Sequence, residues 1–388
     1  MTSFKNLLKT VVLKFIPGLG IVYKGSNESP RNVVLINWDN LGDFVLFSSV
    51  IREVRSNYPS AKLLVVAQRE NQEVVAHCTY VDQWIFIKGH KKARKGQGHG
   101  KEISYARKLI VAYFLLLIHG RGKVDLLFGP DWLLVKDWKQ FTNNIIFKKG
   151  NLNHKTLRNL SQVNSYKYIN HAHQVPRMLS IIGMFGLKIF DDSIENWILN
   201  YDVESIELHN KKTLNQSKKI LISIGAGQLR RNWPVENIAA LIDTLVKKFP
   251  EVKLTLVGPP SMNVMQIKSL FKDSQNLTNL VGKTKLKDVA LLMKNSDLLI
   301  SNDSGLVHIA ASLKLACVVV SAHPKNADPW HLHSPNRYHP WKTAYSVVQP
   351  EFLLDDCTGS CQAEEPHCIK SVSVSEVFEA CQAHIVNY

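Results

Sequence analysis

At 388 residues the chain exceeds the size at which a single hydrophobic core usually stops growing, so two domains are expected. A content of 45% hydrophobic and 21% charged residues excludes a disordered or fibrous chain, and six cysteines are too few for a disulfide scaffold, which points to a reducing compartment. Lys and Arg outnumber Asp and Glu by 48 to 32, and the resulting charge of +16 predicts attraction to phosphate-rich partners: nucleic acid, anionic membrane or phosphorylated glycolipid.

The first 25 residues interleave lysines with Leu, Val, Ile and Phe. That pattern suits either a helix lying on an anionic membrane or one packed on the protein. Lys5, Lys9 and Lys14 interrupt the apolar stretch, so a signal peptide is not expected, and the run Leu109 to Ile118 is too short to span a bilayer, which needs about 20 residues. From Arg31 short apolar runs alternate with helical periodicity: Val33–Trp38 as strand, Phe44–Tyr58 as helix, Lys62–Ala67 as strand, a βαβ unit that implies a parallel sheet. Val81–Ile87 continues as strand. Lys88–Lys101 then carries six Lys or Arg, two His and four Gly, reading as a basic loop that is either a solvated insertion or a clamp for a phosphorylated acceptor. Asp125–Phe128 resumes as strand, and His173–Phe185 reads as a helix closed by Gly186.

A polar stretch from Tyr201 to Lys218 precedes a second alternating series. Strands are predicted at Lys219–Ile224, Val252–Val257, Asp297–Ser301 and Ala316–Val320. Helices are predicted after Pro234, where apolar residues recur from Ile238 to Phe249, and at Leu286–Lys294 and Leu306–Leu313. The fold class is therefore α/β: two Rossmann-like domains facing across a cleft, residues 1–200 and 211–388, with ligands at the C-terminal ends of the strands.

Three loops carry candidate chemistry. In DLLISNDSGLVHIAA a strand runs through Asn302, Asp303, Ser304 and Gly305 into an apolar helix; Asp303 or Ser304 can cap it, Gly305 permits a tight turn, and the helix N-terminus suits a diphosphate, with His308 one turn in. In GAGQLRRNWP, Gly225 and Gly227 allow close backbone approach, and Arg230 or Arg231 offers a permanent cation. A dinucleotide fingerprint is disfavoured there, because Arg230 occupies the place of its third glycine. In NWDNLGD, Asp39 and Asp43 are candidate general bases, with capping of a helix starting at Phe44 as the lesser reading of Asp43.

LGD after the first strand, a glycine-bearing loop ending in a basic residue and WP, GKTKLKDVALLMKNSD, and NDSGLVHIAA resemble, in order and spacing, the glycosyltransferase family of lipopolysaccharide heptosyltransferases. The resemblance runs from about Arg31 to Lys370 and implies a GT-B fold, with acceptor held by the N-terminal half and nucleotide sugar by the C-terminal half. It further implies Asp43 as general base, with Gly225, Gly227, Arg231, Asp303, Ser304, Gly305 and His308 binding donor. Gly42, Lys91, Lys92, Arg94 and Lys95 are expected to bind acceptor. No cofactor or catalytic metal is implied, since Arg231 and a helix N-terminus neutralise the leaving diphosphate. Inverting transfer of heptose from ADP-heptose to the lipopolysaccharide inner core or lipid A-Kdo is the expected activity, at the inner face of the cytoplasmic membrane. Another nucleoside-diphosphate sugar and surface glycan is the alternative. A nucleic-acid-binding protein is disfavoured because Lys88–Lys101 has no aromatic residue for stacking on bases. One departure concerns the donor ribose: GPPSMN, Gly258 to Asn263, lacks the family's glutamate, leaving Ser261 or Asn263 for that contact.

Near the C-terminus, Cys357, Cys361, His367 and Cys368 follow C-x3-C-x5-H-C. The cluster could hold zinc, but adjacent His367 and Cys368 are not expected to reach one tetrahedral ion, and thiols without metal are the favoured reading.

Overall fold

The computed structural model describes residues 30–37, 39–87, 126–128, 172–184, 187–199, 217–260, 274–354 and 357–386. The basic N-terminal segment, Lys91, Lys92, Arg94, Lys95, Ser261 and Asn263 lie outside them.

The N-terminal half opens with β1 (Asn32–Asn37), α1 (Leu41–Asn57), β2 (Lys62–Gln68), a 3-10 turn (Arg69–Val75), β3 (Gln83–Ile87) and β4 (Leu126–Phe128). The strands form an all-parallel sheet in the order β3-β2-β1-β4. β1 and β2 are near-continuous apolar runs, as expected for strands covered on both faces. The helix α2 (Gln174–Met184) packs against α1 through Val175, Leu179 and Ile182.

In the C-terminal half come β5 (Lys219–Ser223), a 3-10 turn (Leu229–Arg231), α3 (Val235–Lys248), β6 (Lys253–Val257), β7 (Leu277–Asn279), α4 (Leu286–Lys294) and β8 (Leu298–Asn302). There follow α5 (Gly305–Ser312), β9 (Ala316–Val320), the one-turn α6 (Pro335–Tyr338), β10 (Tyr345–Val348), a 3-10 turn (Cys368–Ser371) and α7 (Val374–Val386). All six strands are parallel, ordered β10-β9-β8-β5-β6-β7. Read from β7, that is the doubly wound 3-2-1-4-5-6 order, whose reversal between β5 and β8 opens a crevice at their C-terminal ends. The N-terminal sheet repeats the 3-2-1-4 part, with its reversal between β1 and β4.

Alternation along the C-terminal strands sends residues to two cores. Ile220, Ile222, Leu298, Ile300, Val318 and Val320 pack with α3 and α7, whereas Leu221, Leu299 and Val319 face α5. Through α5 that second core is continuous with the N-terminal half, because α5 lies on α1. α1 is consequently buried along its whole middle, Phe44 to Val54. Its polar residues are satisfied locally: Ser48 and Ser49 hydroxyls donate to the carbonyls of Val45 and Leu46 at 2.6 and 2.9 Å. Arg52 donates to Glu195 at 2.7 Å and to the Asp191 carbonyl at 2.6 Å, while Glu53 accepts from the Phe190 N–H at 2.7 Å. Charges this deeply placed persist only when paired. Among the described residues no helix is long and apolar enough to cross a membrane.

Candidate active site

The loop between β1 and α1 lies at the N-terminal switch point. Asn37, buried at the strand end, accepts the Asp39 N–H at 2.9 Å, and Asn71 donates to the Asp39 carbonyl at 3.0 Å, so the loop backbone is anchored on both sides. The helix begins at Leu41, three residues earlier than predicted, with Asn40 in the N-cap position. Asp43 is therefore in the first helical turn and is not the cap, which removes the purely capping reading of this residue. An acidic side chain there lies at the positive end of the helix dipole.

At the C-terminal switch point β8 runs into α5. Ser304 takes the N-cap position but makes no side-chain cap; its hydroxyl instead stands 3.3 Å from that of Ser301. The predicted cap by Asp303 or Ser304 is thus corrected, because Asp303 faces Arg231. Gly305 does not adopt a left-handed backbone, so its tight-turn role is corrected as well. What requires glycine is proximity: a Cβ at Gly305 would sit 3.0 Å from the Gly42 nitrogen and 3.0 Å from Leu41 Cγ. Reciprocally, a Cβ at Gly42 would sit 2.9 Å from His308 Cδ2 and 3.2 Å from Gly305 Cα. The N-termini of α1 and α5 therefore meet at a glycine-on-glycine seam between the halves. Gly42, expected to bind acceptor, is closely packed at that seam.

His308 is buried beneath it, edge-on to Tyr338 with ring centroids 6.4 Å apart. Burial lowers its pKa to about 4, aided by His339, so the ring is neutral. Its Nδ1 is buried without a hydrogen-bond partner.

Arg231 comes from the 3-10 turn after β5, which Gly225 introduces with φ +89°, a left-handed conformation that favours glycine. Gly227 faces open space. The Arg231 Nη1 lies 3.3 Å from Asp303 Oδ2, and Nη2 lies 2.6 Å from His333 Nδ1. A guanidinium can only donate, so His333 accepts through Nδ1. Burial lifts the Asp303 carboxyl above its ordinary range while Arg231 pulls it back. Asp303 would repel a phosphate directly; its geometry makes it the residue that orients Arg231. Arg230, Arg231, Asp303, His323, His333, Ser360 and Cys361 share one pocket. Trp233, two residues beyond Arg231, is buried, and both its donors are satisfied: its backbone N–H donates to Asn302 Oδ1 at 2.9 Å and its Nε1–H to the Val372 carbonyl at 3.0 Å.

The sequence reading missed His333 and His323. The signal for His333 was the histidine-rich run after β9, HLHSPNRYH, which the strand order carries to the same sheet end as the β5 and β8 loops; His323 stands alone, three residues beyond β9. The ligand atoms of Cys357, Cys361, His367 and Cys368 all lie within 4.8 Å of one another, so adjacency does not keep His367 and Cys368 apart.

Among solved structures, the glycosyl transferase family 9 protein of Veillonella parvula DSM 2008 matches with TM-score 0.60 at 16% identity, over 92% of this chain and 98% of that one. The ADP-heptose LPS heptosyltransferase II of E. coli matches with TM-score 0.57 at 16% identity, again over 92% and 98%. Likeness at such identity speaks to fold, and the two parallel sheets with facing switch points define a GT-B protein. The glycosyltransferase family 9 (heptosyltransferase) pattern matches residues 147–346, and the chain belongs to that family. Lipopolysaccharide heptosyltransferase 1 of Campylobacter coli is 27% identical over 190 residues, 46% of this chain; the match spans about half of that relative, 54% of its length.

Proposed function

We propose that this glycosyltransferase transfers heptose from ADP-heptose to the lipopolysaccharide inner core or lipid A-Kdo, with inversion and without a catalytic metal. The observation that carries the reading is the seam itself. Two helix N-termini converge, an aspartate stands in the first turn of one, and an Arg231–Asp303–His333 cluster stands beside the other. The names of the Campylobacter and E. coli relatives supply the sugar and the acceptor class.

In this mechanism the Asp43 carboxylate takes the proton of an acceptor hydroxyl as its oxygen bonds the anomeric carbon. The bond from that carbon to the diphosphate breaks on the opposite face, and ADP departs with its charge neutralised by Arg231 and the α5 N-terminus. The basic stretch of sequence containing Lys91, Lys92, Arg94 and Lys95 and the net charge of +16 suit an acidic glycolipid at the inner face of the cytoplasmic membrane. Residues 1–25 would hold the protein at that surface.

Asp43→Asn tests the reading, because it keeps size and removes the base. Turnover measured as ADP release should fall by about 10²-fold or more, with ADP affinity nearly unchanged by calorimetry. Transfer should proceed without added Mg²⁺ or Mn²⁺. Near-wild-type turnover in the variant, or strict dependence on an added divalent ion, would overturn the mechanism.

A further inference from the structure

We propose that Cys357, Cys361, His367 and Cys368 form a closed tetrahedral site for a structural Zn²⁺. The geometry is specific. Cys357 Sγ and Cys368 Sγ stand 3.9 Å apart, and His367 Nδ1 stands 3.5 Å from each. Around an ion with Zn–S of about 2.3 Å and Zn–N of about 2.0 Å, tetrahedral angles put two sulfurs about 3.75 Å apart and a sulfur and a nitrogen about 3.5 Å apart. These three separations match edges of that tetrahedron, and Cys361 Sγ completes the set, within 4.8 Å of each of the other three ligand atoms.

The local chain is built to deliver these atoms. Gly359, with φ +69°, turns the C-x3-C loop so that Cys361 returns beside Cys357. His367 stands in the N-cap position of the 3-10 turn Cys368–Ser371, with φ −132° and ψ −96°, which swings its ring and the Cys368 thiol to one point. All three cysteines are buried free thiols, and they form a cluster apart from both main cores, against which, among the described residues, the partly buried apolar side chains of Leu353 and Ala363 pack. So small a cluster gains little from apolar burial; three thiols and one imidazole facing a common centre are instead the donor set of a Cys₃His zinc site. Four protein ligands leave no open position, so the ion is structural. Binding releases the thiol protons to solvent and leaves three thiolates on the metal.

The position gives the ion a purpose beyond stapling a loop. Ser360 and Cys361 wall the pocket that holds Arg230 and Arg231, and the 3-10 turn starting at Cys368 touches the one carrying Arg231. The same segment continues to Val372, whose carbonyl holds Trp233. A metal at this point fixes the wall against which the arginine turn is set.

The test uses the full-length protein purified without a metal-binding tag. Elemental analysis by mass spectrometry should find about one zinc per chain, released to a chromophoric chelator as the thiols are titrated with p-hydroxymercuribenzoate. Cobalt substitution should give thiolate-to-cobalt charge-transfer bands with tetrahedral d–d absorption. Cys361→Ser and Cys368→Ser should abolish both signals, whereas His367→Cys, which preserves four ligands, should retain the metal. Because the serine variants could fail to fold, the wild-type release and cobalt measurements stand on their own. Absence of metal, zinc that survives thiol titration, iron in place of zinc, or a Cys357–Cys368 disulfide in peptide mapping would each overturn the assignment.

Discussion

Gly42→Ala is the sharpest perturbation of the seam, since the methyl group would lie 2.9 Å from His308 Cδ2 and 3.2 Å from Gly305 Cα. Carbon atoms in contact prefer about 3.5–4.0 Å, so one side must retreat by roughly 0.5 Å or more. The His308 ring cannot simply swing aside, being buried against Tyr338, and Gly305 is backbone at a helix start. Overpacking of this kind typically costs about 1–3 kcal/mol. Because α1 and α5 belong to different halves, the displacement should separate Asp43 from the Arg231 cluster and lower turnover beyond what the stability loss explains. Denaturant unfolding of Gly42→Ala, His308→Ala and the double variant provides the assay. Removing the ring should relieve much of the clash, giving a coupling of about 0.5–2 kcal/mol between the two changes. If Gly42→Ala unfolds at the wild-type midpoint, or its cost is the same with and without the His308 ring, the seam is not close-packed as described.

Arg231→Ala should weaken ADP binding in calorimetry by about 10- to 100-fold, the scale of losing charge-assisted hydrogen bonds of about 1.5–3 kcal/mol, and unchanged affinity would remove Arg231 from the diphosphate site. The pH dependence of stability should carry the His308 signature. Its folded pKa of about 4 lies below the ordinary 6.5, so the unfolded chain takes up the proton first, and stability is complete above pH 6.5 and lost as pH falls toward 4. By pH 5 the loss from His308 amounts to about 2 kcal/mol, and His308→Gln should reduce the slope of unfolding free energy near pH 5.5 by about 1 kcal/mol per pH unit. An unchanged slope would mean that His308 titrates normally.

The parts of the fold legible in the sequence are those with a strong local signal. α4 and β9 fall at their predicted residues because a long apolar period and a tight apolar run need no partner to be read. β7 and β10, of three and four residues, were not legible, since LTN and YSVV become strands only by pairing with β6 and β9. The start of α1 was misplaced because Leu41 and Gly42 are ordinary as helix openers and Asn40 makes no side-chain cap. At the site, Arg231, Asp303 and His308 could be proposed one loop at a time, but their partners could not. His333 reaches Arg231 across 102 residues, and Gly42 reaches Gly305 and His308 from the other half. At Cys357, Cys361, His367 and Cys368 the reason differs: adjacency suggested a conflict between His367 and Cys368 that the backbone torsion at His367 removes, bringing the four ligand atoms within 4.8 Å of one another.

The seam also explains why aspartates stand at a place proposed to bind a diphosphate. Each helix N-terminus carries roughly half a positive charge, and bringing two together is unfavourable unless negative charge lies nearby. Asp43 supplies it within the first turn of α1, while α5 has no acidic residue in its first turn and is preceded by Asp303, held on Arg231. A diphosphate entering on the α5 side would meet Arg231, the uncapped first turn and a neutral His308, all compatible with added negative charge. Asp43 on the α1 side, the proposed base, would then face an anion it repels and a hydroxyl it could deprotonate, and a nearby like charge would favour its taking that proton. On the proposed mechanism, the closeness enforced by Gly42 and Gly305 would couple donor occupancy to the basicity of Asp43, so that the strongest base would be present only with a leaving group in place.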